Sequence, residues 1–143
     1  MAAITGTNPV ARWQKLCLDA ALIVQLLSGG LWLIVHYTIG AGSEEIGLPH
    51  WSEAWLMRLH GFAAFVILVA IGSFFAVHVP RGWRIRGLRG IDLTMLVCLA
   101  VTVITAYCLY YFAPDSIRPS LGWLHAGLGC AFGATVLVHR GKL

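Results

Sequence analysis

The chain has 143 residues, 59% of them apolar and 11% charged, with a mean hydropathy of +0.79. Soluble domains carry about 25% charged residues, so the composition excludes a soluble enzyme and a disordered tail and points to one small integral-membrane domain. The net charge of +4 does not imply a nucleic-acid partner, because the basic residues gather beside apolar runs, as topology determinants do.

The first apolar run covers about 16–40. Arg12 and Lys15 precede it, as in a secretory signal. The run continues past Ser28-Gly29-Gly30 and is too long for a signal core, so a retained span is expected. The second run covers 54–79, where Pro80 is expected to end the helix, since proline lacks an N–H and disfavours helix in the residue before it. Arg81, Arg84, Arg86 and Arg89 follow. The third run covers 93–113, with Asp92 near its start. The fourth covers 121–139, after Asp115-Ser116 and before Arg140 and Lys142.

Each run is close to the ~20 residues that a helix needs to cross the hydrocarbon. Open sheet edges are forbidden there. The expected fold is therefore all-α: a four-helix transmembrane up-down bundle, one domain over 1–143. Trp13, Trp51, Trp55, Trp83, Trp123, Tyr110 and Tyr111 sit near the run ends, at the level amphipathic rings prefer. Arg12, Lys15, Arg81, Arg84, Arg86, Arg89, Arg140 and Lys142 fall on the side of the termini. Arg58 and Arg118 fall on the other, with Glu44, Glu45, Glu53 and Asp115. This imbalance places both termini in the cytoplasm and the protein in a bacterial inner membrane, surrounded by lipid.

Cys17, Cys98, Cys108 and Cys130 form no C-x-x-C and no C-x-x-C-H, which argues against covalent haem and against a zinc ribbon. The histidines are more informative. His60 and His78 lie 18 residues apart on span two, five whole turns, hence on one face and roughly 27 Å apart along the axis. His125 and His139 lie 14 residues apart on span four, again on one face, with a rise of roughly 21 Å. Spans two and four run the same way. His60 therefore shares the outer level with His125, and His78 the inner level with His139. Imidazoles paired at two depths in an apolar bundle suit two six-coordinate haems. Arg58 and Arg118 outside, and Arg81, Arg84 and Arg140 inside, are placed to meet haem propionates. They serve equally as topology determinants. The two rises differ by about one turn, and this leaves the pairing open, with His36 able to replace His60 opposite His125. His36 and His50, with Glu45 and Glu53 nearby, suggest a quinone or proton-handling role or plain interfacial polarity.

Three segments carry a family resemblance: LHGFAAFVILVAIGSFFAVHVPRGWRIRG from Leu59, TAYCLYYFAPDSIRP from Thr105, and LHAGLGCAFGATVLVHRGK from Leu124. In these the chain resembles the small bacterial four-helix membrane cytochromes b. That group is related to the cytochrome b subunits of formate dehydrogenase and nickel-iron hydrogenase. The family's paired span-four histidines match His125 and His139, and its span-two histidine matches His60 or His78. The longer gap in span two and the outer placement of His36 depart from the pattern. The resemblance implies two non-covalent b haems passing electrons between quinone and a partner redox protein. The chain would then be an electron-transfer subunit of a larger respiratory complex rather than a stand-alone enzyme. The competing expectation is a cofactor-free membrane anchor or assembly subunit. A transporter ranks last, because the middles of the spans hold no acid.

Overall fold

The structure, a computed structural model, describes residues 12–39, 50–86 and 90–141, and the side chains of 74–86, Arg12, Ile91, Asp92, Arg140 and Gly141 are outside that description. Its elements are all helical: α1 (Arg12–Thr38), α2 (Trp51–Arg86), α3 (Gly90–Tyr111) and α4 (Arg118–Gly141). Each contains a stretch long and apolar enough to cross a membrane: Trp13–Thr38, Trp51–Ser73, Leu93–Tyr111 and Arg118–His139. The chain thus has the helices of a multi-pass membrane protein.

Large apolar side chains point outward on every helix, among them Ile23, Phe65, Ile104 and Leu137, the last 70% exposed. In water this would be a large penalty. In hydrocarbon it costs nothing, because lipid tails are as apolar as leucine. Trp13, Trp51, Trp55 and Trp123 also project outward near the helix ends, as expected for interfacial anchors.

Pro80 does not end the second helix. The backbone stays helical through Gly72-Ser73 and Pro80 as far as Arg86. Membrane helices tolerate proline, because neighbouring helices and local adjustment satisfy the freed carbonyl.

The chain divides into two compact units, Met1–Arg81 and Gly82–Leu143. In the first, α1 and α2 form an antiparallel hairpin. Gln14 reaches Ser73, Gln25 reaches His60, and His36 reaches Glu53. The buried stripe of α2 runs through Glu53, Ala63 and Ile67, and that of α1 through Ala21 and Ser28. These spacings of ten, four and seven keep a single helical face inward.

In the second unit α3 and α4 form the other hairpin. The connection is tight: the Phe112 and Ala113 amides donate to the Cys108 carbonyl, and the Ile117 and Arg118 amides to Pro114. Arg118 clamps it, donating to the Leu109 carbonyl at 2.9 Å and the Ala113 carbonyl at 2.7 Å. The Leu109 carbonyl is one that the end of α3 leaves without an intrahelical partner, and the Ala113 carbonyl belongs to the connection itself. Phe132 and Val136 form the buried stripe of α4.

Candidate functional site

His60 projects from α2 against α1. Its Nδ1 lies 3.0 Å from the Gln25 main-chain carbonyl and 3.2 Å from Ser28 Oγ. Ser28 donates in turn to the same carbonyl at 3.2 Å. A carbonyl only accepts, so the ring proton resides on Nδ1 and Nε2 presents a lone pair. The Gln25 side-chain amide donates to that lone pair at 2.8 Å. Its other atom, Oε1, is buried without a hydrogen-bond partner among the described residues. Gly29 makes the close approach of α1 possible. A Cβ there would stand 2.9 Å from His60 Cε1 and 3.1 Å from Nδ1.

His125 projects from α4 against α3 in an equivalent arrangement. Thr105 donates its hydroxyl proton to the Thr102 carbonyl at 2.9 Å. Its oxygen can then only accept from His125 Nδ1, 3.0 Å away. The main chain of Thr102 hydrogen-bonds the same ring. Both units therefore hold a histidine in one way. In each, a hydroxyl that donates to the carbonyl three residues before it on the neighbouring helix faces Nδ1, places the ring proton there and leaves Nε2 as the basic nitrogen. Histidines that bind metals commonly have their other ring nitrogen held like this, which fixes both tautomer and orientation.

The sequence reading singled out the histidines but not Gln25, Ser28, Thr102 and Thr105. Their only sequence signal is polarity inside apolar runs, where every such group must find a partner within the protein.

The other expected site residues have various settings. His139 lies on the face of α4 that carries His125, Gly129, Phe132 and Val136, and it is half-buried. The side chains of His78, Arg81, Arg84 and Arg140 are outside the described set, as are Glu44, Glu45, Arg89 and Lys142 altogether. Arg58 stacks over Trp55, 5.0 Å from the ring centroid. Arg118 spends its donors on the α3–α4 connection and approaches Asp115 at 3.5 Å. His36 Nδ1 meets the buried carboxylate of Glu53 at 3.0 Å and stacks on Trp32 at 4.5 Å. His50 pairs with Ser52 at 2.6 Å. The structure thus joins His36 to Glu53 and seats His60 separately, against Gln25 and Ser28.

Haem demands a neutral imidazole that can turn its Nε2 lone pair to iron, an apolar surround and room beside the ring for a flat macrocycle. The Nδ1-protonated tautomers of His60 and His125 meet the first demand, and at His60 the haem would take the place of the Gln25 amide on Nε2. The orphaned Gln25 Oε1 marks a polar arrangement that is incomplete around His60 Nε2. Beside His125, Gly122 and Gly129 lie three residues before and four after, on its own face. A Cβ on either would meet no described atom within 4 Å. Close helix packing therefore does not explain these glycines within their unit, and they leave a flat strip flanking the His125 ring. The residues present fit the group.

No family model matches the chain, and no solved structure matches it. The chain is similar to the cytochrome c-type biogenesis protein CcmF of Haemophilus influenzae, with 31% identity over 106 residues, 74% of this chain. The matched region is 15% of that relative's length, so the similarity reaches a small part of a much larger protein.

Proposed function

We propose that this chain is an integral-membrane haem protein of the b type, in which His60 and His125 present Nε2 as axial ligands to iron. The observation that carries the reading is the shared setting of the two histidines. Each has its Nδ1 facing a hydroxyl of the adjoining helix that itself donates to the carbonyl three residues back. The placing of both on one haem comes from the topology expected from the sequence, in which spans two and four cross in the same direction with His60 and His125 near their starts. His78 and His139 are the ligands of a second haem by the same argument. Arg58, Arg118, Arg81, Arg84 and Arg140 are the candidate propionate partners.

Bound haem supplies a one-electron iron couple whose potential follows axial ligand type, burial and nearby charge. The protein's part is to hold the imidazoles in the correct tautomer, exclude water with an apolar surround and limit rearrangement when charge changes. Electron transfer between quinone and a partner redox protein is the finer form of this reading, and the cytochrome b resemblance supports it. The similarity to a cytochrome c biogenesis protein favours a second form, in which the same histidines hold haem within an assembly system. The two forms differ in whether haem stays. A cytochrome retains it through many reduction cycles, whereas an assembly component gives it up to an apoprotein.

The test is a pyridine haemochrome assay on the purified full chain beside His60→Leu and His125→Leu. The wild type is expected to hold about two haems b, and each variant to lose about one. A colourless wild type would favour the anchor or assembly subunit. Haem content unchanged by both substitutions would remove these two residues from the site.

A further inference from the structure

Ser28 and Thr105 occupy matching positions in the two units. Each lies three residues beyond the carbonyl that it donates to, Gln25 in one case and Thr102 in the other. Each hydroxyl oxygen faces a histidine Nδ1, at 3.2 Å and 3.0 Å. Ser28 is 1% exposed and Thr105 6%, so water does not compete for either hydroxyl. A helix-interior hydroxyl already has a satisfactory partner in the carbonyl three or four residues back. Thr94, Thr102 and Thr135 make such bonds without any histidine. What sets Ser28 and Thr105 apart is the second contact. Donation to the carbonyl polarises the hydroxyl and makes its oxygen a better acceptor for the ring N–H.

We infer that Ser28 and Thr105 are positioning residues for the haem ligands His60 and His125, and that they set the iron's redox balance through the Nδ1–H bond. This rests on the haem reading above. An acceptor at Nδ1–H makes the imidazole more basic, and a more basic ligand favours ferric over ferrous iron. Removing the hydroxyl weakens that acceptor while the main-chain carbonyl remains. The effect is therefore an upward shift of potential, and each tenfold change in the ferric-over-ferrous preference reads as about 59 mV for a one-electron couple.

The experiment is a redox titration with ferric EPR on the purified full chain, comparing wild type with Ser28→Ala, Thr105→Val and Thr105→Ser. The haemochrome assay is run on the same samples. The inference expects raised potentials and altered low-spin g-values in Ser28→Ala and Thr105→Val, with Thr105→Ser returning to wild type. Haem present throughout with potentials and g-values unchanged would overturn the positioning role and leave the haem reading standing. No haem in the wild type would overturn the haem reading itself. If Thr105→Val fails to accumulate, Ser28→Ala reads the same quantity in the other unit, and an unshifted potential there counts against the inference.

Discussion

Gly29 and Gly30 are adjacent on α1 yet have opposite surroundings. A Cβ at Gly29 would press into the His60 ring, and one at Gly30 would meet nothing within 4 Å. The ring cannot yield freely, because hydrogen bonds to Gln25 and Ser28 hold it. Gly29→Ala is therefore expected to destabilise the first unit by about 1–3 kcal/mol, the usual cost of overpacking, and to reduce haem content. Gly30→Ala is expected to be neutral or stabilising by about 0.5–1 kcal/mol, as alanine loses less backbone entropy in a helix. Thermal unfolding in detergent, followed by circular dichroism, separates the two. At this scale the sequence was partly legible. The histidines stood out because ionisable residues in apolar runs are costly. The residues around them did not, because Gln25, Ser28, Thr102 and Thr105 gain meaning only from the helix opposite.

At the scale of the element, hydropathy alone locates the helices, since a bilayer sets their length and forbids other spanning structures. It fails where a local rule meets a membrane environment, as at Pro80, which the helix passes through to Arg86. Arg118 shows a different limit. Read as a charge beside a membrane, it is a topology determinant or a propionate partner. In the structure its guanidinium bonds to the Leu109 and Ala113 carbonyls and closes the end of α3. Arg118→Ala is expected to loosen this connection and cost about 1 kcal/mol, because the two bonds are charge-assisted but the side chain is half exposed. Asp115→Ala is the control. The carboxylate is fully exposed and 3.5 Å from Arg118, so its removal is expected to leave the melting temperature unchanged. Hydrogen exchange of the 112–118 amides would register the loosening directly.

For the molecule as a whole, two helical hairpins each hold one histidine in the same tautomer, by a hydroxyl that is itself tied to the carbonyl three residues back. The expectation of four spans was within reach of composition and run length. The equivalence of the hairpins was not, since the chain has no sequence repeat and the likeness lies in hydrogen bonding alone. The similarity to part of CcmF agrees with a multi-pass bacterial membrane protein. The central claim is that one imidazole from each hairpin ligates iron. Its most direct test is ferric EPR with near-infrared magnetic circular dichroism on the purified chain, before and after His125→Leu. A low-spin bis-imidazole signature is expected in the wild type, with one such component lost from the variant. A wild type without that signature, or a variant that keeps it whole, would rule out ligation of iron by His125.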